Sequence, residues 1–356
     1  MKYKLSDICT FTDERIAVTD LDLDNYISTE NMLQNKEGVI RSAGLPTVNQ
    51  IQAYQPGDVL ISNIRPYFKK IWYADRSGGC SNDVLVLRPK ENTYPGFLYY
   101  LLSDNAFFNY ATATAKGTKM PRGDKDAIMK YEVPNLPIGI QIKIADILSA
   151  LDAQISNNKA INNHLEQIAQ AIFKEMFINK EGDRISLLNF CKFIKGKKPA
   201  ILIDNYQNRS ELYLTIDSLT GTQKTYAMSK NSLIAHTRDI LMVMDGASSG
   251  TVYFGKRGIV GSTLAKITVS NLSMQEIIYQ TLKYFENNIK DHITGSAIPH
   301  VDKQYVLQLS ICVPDDYQRY SIYFEIIRNL LIENRDQNIY LSALRDALLP
   351  RLMSGE

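Results

Sequence analysis

An internal repeat that covers most of the chain is the strongest constraint on the fold. The segment AKGTKMPRGDK at 115–125 returns in outline as ITGSAIPHVDK at 293–303, in the same Gly-x-x-x-Pro-x-x-Asp-Lys frame. Upstream, residues 56–83 align without a gap with residues 237–264. The offset between matching segments falls only from about 182 to about 176 residues, and a period this long indicates a tandem domain duplication rather than a solenoid.

The repeat divides the chain into four consecutive parts. We expect a globular domain at 1–137 and a long helix at 138–180, then a second globular domain at 181–314 and a second long helix at 315–356. The chain has 356 residues, of which 45% are hydrophobic and 22% are charged. This length and composition are typical of two soluble domains, each with its own apolar core.

Each globular part combines strand and helix patterns. DVLISNI in the first copy and DILMVMDG in the second read as apolar strands that end in polar residues. Helices are predicted at Tyr94–Tyr110 and at Met274–Ile289. The sequence therefore predicts an α+β fold for both copies.

Two long helices are predicted, at Ile142–Phe177 and Gln318–Met353, with apolar residues at alternating spacings of three and four. These apolar residues are Ile144, Leu148, Leu151, Ile155, Leu165, Ala169, Ile172 and Met176 in the first helix, and Tyr323, Ile327, Leu330, Leu341, Leu344, Leu348 and Leu352 in the second. Such spacing over about five heptads is typical of a coiled-coil seam. The alternative is two surface helices that each pack on their own domain.

Both helices carry asparagine instead of apolar residues near the middle of the seam. Asn158 and Asn162 occupy seam positions in the first helix, and Asn334 and Asn338 occupy the matching positions in the second. Buried asparagine in a seam lowers stability and fixes the register. Two copies related by an approximate two-fold axis would place the helices antiparallel. We therefore assign these four residues to the register of an antiparallel coiled coil.

Basic residues cluster locally, although the formal net charge of the chain is only +2. The clusters are Arg65, Lys69 and Lys70; Lys116, Lys119, Arg122 and Lys125; and Lys192, Lys195, Lys197 and Lys198. A local basic patch on a nearly neutral protein can still bind phosphate groups. The alternative for each cluster is a solvated loop.

The two copies differ most in the loop that follows the central strand. Asn63–Lys70 offers a guanidinium, ammonium groups and aromatic rings, whereas Asp245–Gly250 offers backbone donors and hydroxyl groups. A retained scaffold with diverged loops is typical of two domains that recognise different targets. The residues that we expect to bind the target are Arg65, Lys69, Lys70, Lys119 and Arg122 in the first domain, and Lys197, Lys198, Ser248, Ser249 and His300 in the second.

No motif in the sequence indicates catalysis, a cofactor or a metal. Gly250–Arg257 resembles a phosphate-binding loop, but Arg257 stands where a Ser or Thr must reach magnesium. Ser296, His300 and Asp302 lie too close together along one loop to indicate a catalytic triad. The cysteines, which occur singly, and the remaining histidines lack metal-ligand spacing.

The chain is expected in the reducing cytoplasm. No apolar run approaches the roughly 18 residues of a membrane span, and the first residues lack the apolar core of a secretory signal. Cys9 and Cys191 occupy equivalent positions of the repeat, which indicates packed core thiols rather than a disulfide or a zinc site.

Three segments together resemble one protein family. They are Leu136–Asp152 at the start of the first long helix, Gly295–Val301, and Leu349–Glu356. They are similar to the conserved-helix signature, the loop that closes the target recognition domains, and the C-terminal end of the DNA-specificity subunit of type I restriction–modification systems. The first copy departs from that loop with Gly117–Gly123. It also has Pro137–Gln141 where the family usually has Pro, a polar residue and Glu before the Gln.

The resemblance covers the whole chain and implies an architecture and a function. Two α+β target recognition domains would each read one half of a split, asymmetric sequence in double-stranded DNA, spaced by two long helices in an antiparallel coiled coil. Two modification subunits would bring S-adenosylmethionine, and restriction subunits would bring ATP-driven translocation with magnesium. The specificity subunit itself would bind no cofactor, metal or membrane and catalyse nothing. Two alternatives are a nuclease or methyltransferase, and a coiled-coil adaptor between proteins that binds no nucleic acid.

Overall fold

The chain folds into two compact units. Unit 1 comprises residues 1–158 and 335–356, and unit 2 comprises residues 159–334. The computed structural model describes residues 3–221, 224–228, 231–295 and 299–354. Among those residues, no helix is both long enough and apolar enough to cross a lipid bilayer.

Unit 1 contains the first globular domain and one half of each long helix. Its strands are β1 (Tyr3–Lys4), β2 (Cys9–Phe11), β3 (Arg15–Ala17), β4 (Tyr26–Ile27), β5 (Gln50–Tyr54), β6 (Val59–Ser62), β7 (Ile71–Tyr73), β8 (Gly78–Cys80), β9 (Val84–Pro89) and β10 (Glu132–Val133). Its helices are α1 (Leu5–Ile8), α2 (Pro95–Ser103), α3 (Asn105–Ala113), α4 (Lys125–Met129) and the first part of α5 (Ile138–Phe173).

The globular domain of unit 1 is built around two four-stranded sheets. The central sheet has the antiparallel order β2–β9–β6–β7, and the second sheet has the order β3–β5–β8–β4 with β4 and β8 parallel. Along β6, Val59 and Ile61 pack with α2 and α3, whereas Leu60 packs with residues of the second sheet. Because successive side chains of a strand point to opposite faces, a fully apolar strand is buried between two layers.

Unit 2 contains the second globular domain. Its strands are β11 (Arg184–Ser186), β12 (Cys191–Lys195), β13 (Leu202–Ile203), β14 (Ser210–Leu214), β15 (Tyr226–Met228), β16 (Ile234–Ala235), β17 (Ile240–Val243), β18 (Val252–Phe254), β19 (Gly258–Val260), β20 (Leu264–Val269) and β21 (Ser310–Cys312). Its helices are α6 (Ile216–Thr220), α7 (Gln275–Tyr284), α8 (Glu286–Asp291), α9 (Lys303–Gln308) and α10 (Tyr317–Ser354), of which the last part belongs to unit 1.

The domain of unit 2 repeats the plan of the first. Its central sheet has the order β12–β20–β17–β18, and its second sheet has the order β13–β15–β14–β19–β16. Leu241 lies opposite Tyr253 in the pairing of β17 with β18, as Leu60 lies opposite Trp72 in the pairing of β6 with β7. The duplication predicted from the sequence is therefore confirmed in topology and in register.

The two cysteines predicted to be core thiols, Cys9 and Cys191, have equivalent environments in the two domains. The Cys9 thiol donates a hydrogen bond to the carbonyl of Leu5 at 3.4 Å, and the Cys191 thiol donates to the carbonyl of Leu187 at 3.4 Å. Both thiols are buried, and burial raises the pKa of Cys9 to about 12 and that of Cys191 to about 11. Buried protonated thiols of this kind act as small apolar residues.

The helices predicted at Tyr94–Tyr110 and Met274–Ile289 are each divided into two. Asp104 has an extended backbone between α2 and α3, and its carboxylate accepts a hydrogen bond from the Ala106 N–H at 2.9 Å. Phe285 separates α7 from α8 differently, with φ of −91°, ψ of 10° and no side-chain cap. Aspartate at such a position caps the following helix, so the apolar periodicity continues across a break in the backbone.

In each unit the two long helices run antiparallel. In unit 1, Asp152 of α5 accepts a hydrogen bond from Arg345 of α10 at 2.7 Å, whereas Asn158, further along α5, bonds Asn338, which comes earlier in α10. In unit 2, the Phe177 ring lies 5.8 Å from that of Tyr320. The helices also contribute to the cores of the globular domains, so they pack both on each other and on the domains.

The seam of α10 is displaced by one residue from the prediction in its first half. Tyr323 and Leu330 are 40% and 42% exposed, whereas Phe324 and Leu331 are 0% and 7% exposed. The seam predicted from apolar spacing was wrong here because a charged residue, Arg328, lies on the buried face of the helix. With a charged residue on that face, the neighbouring Tyr and Leu give the more regular apolar spacing.

The four seam asparagines form two hydrogen-bonded pairs. Asn158 donates from Nδ2 to Oδ1 of Asn338 at 2.9 Å, and Asn334 donates from Nδ2 to Oδ1 of Asn162 at 2.8 Å. Residues equivalent in the repeat are therefore not partners of each other. Each pair joins the amides of the two helices across the antiparallel seam, where Asn158 is buried and the other three asparagines are partly buried.

Candidate nucleic-acid interface

In each domain, a backbone hydrogen bond links two loops. One loop follows the central strand, which is β6 in unit 1 and β17 in unit 2, and the other contains the repeated Gly-x-x-x-Pro-x-x-Asp-Lys frame. The Arg65 N–H donates to the carbonyl of Pro121 at 2.8 Å, and the Gly246 N–H donates to the carbonyl of Pro299 at 2.9 Å. We call residues 63–70 with 115–123 edge 1. In unit 2, residues 245–250 with 293–300 are edge 2, of which residues 296–298 lie outside the described part of the chain.

The aspartate of the repeated frame holds the end of each edge. Asp124 caps α4 by accepting hydrogen bonds from two backbone N–H groups at 3.0 and 3.3 Å. Asp302 caps α9 in the same way at 2.9 and 3.1 Å. Capping by aspartate stabilises a helix start by about 1 kcal/mol, so the frame is retained for a structural reason that is independent of the target.

The turn at residues 63–70 is held by contacts from outside the edge. The backbone N–H groups of Asn35 and Lys36 donate to the carbonyls of Phe68 and Lys69, each at 2.9 Å. Within the turn, Arg65 and Lys69 adopt left-handed backbone conformations, with φ of 51° and 52°. A turn with this many fixed backbone groups presents its remaining side chains in defined directions.

Two of the basic residues predicted to bind are engaged within domain 1. The Lys69 ammonium donates to Oδ1 of Asn105 at 2.8 Å, and the Lys70 ammonium donates to the carbonyl of Thr29 at 2.6 Å. Burial lowers the pKa of Lys70. These contacts join the turn to other parts of the domain, and the assignment of both lysines to DNA binding stays a prediction.

Lys119 and Arg122 are exposed on edge 1. Lys119 forms no hydrogen bond or ion pair with any residue that the structure describes. Arg122 contacts Asp83 at 3.0 Å, with the two side chains 58% and 38% exposed. Exposed ion pairs contribute little to stability, so a phosphate group can compete for this guanidinium.

Edge 2 is organised around Asp245, which the sequence did not single out. Its carboxylate bonds the Lys195 ammonium at 2.7 Å and Nδ1 of His300 at 2.7 Å. Burial would raise the pKa of Asp245, but these two hydrogen bonds outweigh it and hold the pKa below the ordinary value. The His300 side chain is half exposed, so it remains accessible to a ligand while Nδ1 contacts Asp245. The long sequence separation hides this contact from motif analysis.

The other candidates of domain 2 differ in exposure. Lys197 and Lys198 follow Gly196 at the end of β12. Both are exposed, and neither forms a hydrogen bond or an ion pair with a residue that the structure describes. Ser249 corrects the sequence-based expectation, because its buried hydroxyl lies 2.7 Å from the carbonyl of Gly246 and 3.0 Å from that of Pro299. Ser249 therefore holds edge 2 together, while Ser248 is partly exposed.

The edges carry no metal cluster: within residues 3–221, 224–228, 231–295 and 299–354, no three His, Cys, Asp or Glu side chains gather as metal ligands. The arrangement instead offers cations, amide groups and an imidazole on two loops of different chemistry. Groups of these kinds bind phosphates and the edges of bases.

A second exposed feature lies on the long helices. Apolar side chains on their outer faces are exposed in both units. They are Ile140, Ile147, Ile339 and Tyr340 in unit 1, and Ile161, Ile168, Ile322, Ile326 and Leu330 in unit 2. We call them the unit 1 and unit 2 helix patches. Exposed apolar side chains therefore occur on both long helices in each unit, and exposed apolar surface on a soluble protein often marks a site that binds another protein.

Comparison with known proteins gives consistent matches. A family model described as the type I restriction modification DNA specificity domain matches residues 1–167 and 173–339. The HindI specificity subunit of Haemophilus influenzae is 26% identical to this chain over 348 residues. The aligned region spans 88% of this chain and 73% of that subunit. The MjaVIII specificity subunit of Methanocaldococcus jannaschii is 32% identical over 148 residues, covering 40% of this chain but only 35% of that subunit.

A solved structure shares the fold. The S subunit of the type I restriction–modification system from M. genitalium superposes with a TM-score of 0.63 at 16% identity, covering 99% of this chain and 96% of that chain. Together with the family match, it confirms the resemblance and the tandem architecture inferred from the sequence. Of the segments that carried the resemblance, residues 296–298 and 355–356 lie outside the described part of the chain.

Proposed function

Because the chain belongs to the family of type I restriction–modification DNA specificity subunits, we propose that it recognises a bipartite, asymmetric sequence in double-stranded DNA. Edge 1 reads one half of that sequence and edge 2 reads the other. The subunit contributes no catalysis and no cofactor of its own. Methyl transfer with S-adenosylmethionine, and translocation with ATP and magnesium, belong to its partner subunits.

The observation that carries this proposal is the pairing of a common frame with different side chains. The two edges use equivalent proline carbonyls and equivalent aspartate caps, whereas their exposed groups differ, with Lys119 and Arg122 on edge 1 and His300 on edge 2. The second domain also exposes Lys197 and Lys198 in the loop after β12. A scaffold that repeats while its exposed groups change supports two readers of different half-sites.

The helix patches support binding of two modification subunits. In each unit, both long helices carry exposed apolar side chains. Exposed apolar helix surface in both units supports two copies of the same partner, one on each unit. The partner proposed for each patch is an amphipathic helix of a modification subunit, since an apolar helix face binds a second helix through regular apolar anchors.

Selection of duplexes from a random DNA library by the purified chain tests the proposal. We expect a motif of two conserved parts separated by a fixed gap. Lys119→Ala/Arg122→Ala should weaken binding evenly across sequences and reduce the salt dependence by about one unit per lost phosphate contact. The control Lys143→Ala/Lys180→Ala removes two exposed charges away from both edges and should leave binding unchanged.

The outcome separates the proposal from its alternatives. Binding without sequence preference, or no binding at all, would contradict DNA recognition and favour a protein adaptor. Transfer of a labelled methyl group to DNA by the chain alone would show that it is a methyltransferase.

A further inference from the structure

Arg65 combines two unusual properties at the centre of edge 1. Its backbone has a φ of 51°, and the position that makes the equivalent contact in edge 2 is Gly246, with a φ of 100°. The left-handed conformation is thus a property of the frame, because both residues donate to the frame proline. Glycine adopts this conformation freely, whereas a residue with a side chain adopts it only at a cost in backbone strain.

The turn around Arg65 also contains unsatisfied polar atoms. Among the described residues, the buried side-chain atoms without a hydrogen-bond partner are Asn63 Oδ1, Arg65 Nε and two nitrogens of Arg328. Two of these belong to this single turn. Strained backbone and unpaired buried groups together are typical of a functional site, since neither persists without a compensating use.

The guanidinium of Arg65 is also restricted in direction. Its carbon lies 5.9 Å from the centre of the Phe68 ring, and the Phe68 N–H donates back to the Arg65 carbonyl at 2.9 Å. The ring therefore supports the guanidinium at one side, while the backbone fixes the start of the side chain. A planar donor fork held in this way suits an acceptor pair of fixed geometry.

We propose that Arg65 is the base-reading residue of domain 1 and recognises guanine through O6 and N7 in the major groove. This inference rests on the proposed function and assigns chemistry to one half-site. Arginine binds the two guanine acceptors with two parallel hydrogen bonds, which is the commonest specific contact between a protein and a base. A phosphate contact needs no such fixed direction, and Lys119, exposed and flexible on the same edge, has the properties of a phosphate-binding residue.

Arg65→Gly removes the Arg65 side chain without disturbing the fold, so that a change in binding can be assigned to the lost guanidinium. Glycine is the residue that the equivalent position of edge 2 already carries, so the variant keeps the backbone conformation and should keep the thermal midpoint of the wild-type chain. Arg65→Lys keeps the charge and removes the planar fork. Lys119→Ala serves as the matched control for a lost phosphate contact.

The measurement is the affinity of the whole chain for its selected duplex and for every single base-pair substitution of it. Wild type should discriminate against loss of one guanine by roughly 5- to 150-fold. Both Arg65 variants should lose that discrimination at the one position and keep it elsewhere. Lys119→Ala should lower all affinities evenly and keep every preference.

Two results would overturn the inference. If Arg65→Gly retains the preference at every base pair, or weakens all duplexes evenly as Lys119→Ala does, Arg65 does not read a base, although DNA recognition by the chain stands. If the wild-type chain selects no motif from the library, the proposed function fails, and the inference fails with it.

Discussion

The pairing of asparagines across the seam gives a quantitative prediction for unit 1. Asn158 is 2% exposed, and its Nδ2 donates to Oε1 of Gln337 at 2.7 Å and to Oδ1 of Asn338 at 2.9 Å. Gln154 donates to its Oδ1 at 3.0 Å. Asn158→Leu therefore removes the donor of a buried acceptor on the facing helix.

The magnitude follows from the groups left unpaired. A buried polar group without its partner costs about 1–3 kcal/mol, which cancels most of the gain from burying leucine. We expect each single variant, Asn158→Leu and Asn338→Leu, to lower the free energy of unfolding by about 1–2 kcal/mol. The double variant removes both amides and should be at least as stable as wild type. Because the two single losses sum to about 2–4 kcal/mol, this result corresponds to a coupling energy of at least about 2–4 kcal/mol.

The assay is urea unfolding of the whole chain, followed by circular dichroism, for the four proteins of the double-mutant cycle. Asn158→Leu/Asn334→Leu is the mismatched control, because these residues belong to different pairs and both partners would be left unpaired. Effects of Asn158→Leu and Asn338→Leu that add within about 0.5 kcal/mol would refute the reasoning, since independent residues behave in that way.

Three further predictions concern other parts of the molecule. Arg328 Nε lies 2.7 Å from Glu276 Oε2, and both side chains are buried. Arg328→Met should lower the free energy of unfolding by about 3–5 kcal/mol, because it leaves the Glu276 carboxylate buried without its partner. Arg328→Met/Glu276→Met should recover most of that loss, as measured by urea titration. The depressed pKa of Asp245 contributes stability above the ordinary carboxylate range, and that contribution is lost as pH falls through the lower folded pKa. The slope of thermal midpoint against pH below about 4 should therefore be smaller in Asp245→Asn. Deleting one matched heptad from each of α5 and α10 shortens each helix by about 10 Å, so methylated-base mapping should show a gap about three base pairs shorter between unchanged half-sites.

The sequence predicts the features that depend on repeated local patterns. The duplication, the α+β class and the antiparallel helices follow from segment matching and apolar spacing, and all three are confirmed. The seam of α10 was displaced because Arg328 lies on the buried face, where its guanidinium is 3.2 Å from the centre of the Phe254 ring. Periodicity cannot anticipate a buried cation, because its partners are Glu276 and an aromatic ring on other elements.

The assignment of the binding residues stays a prediction, and the sequence shows only part of the contacts that these residues make. The diverged loops do form the edges, since the frame around them is local and repeated. Whether a basic residue is free depends on contacts between distant segments, as with Lys69 and Asn105 or Lys70 and Thr29. One sequence does not reveal these distances, so free and committed lysines look alike in it.

The structure of the frame supports the proposal that duplicated domains recognise two different targets. Each edge is held by a backbone donor to a proline carbonyl and by an aspartate that caps the next helix, at Pro121 and Asp124 in one copy and at Pro299 and Asp302 in the other. The bond to the proline carbonyl joins backbone atoms, and the cap uses a residue that both copies retain. Neither involves the exposed side chains of the edges. Exposed residues can therefore change without loss of the fold, which is the property that recognition of two unrelated half-sites by duplicated domains requires.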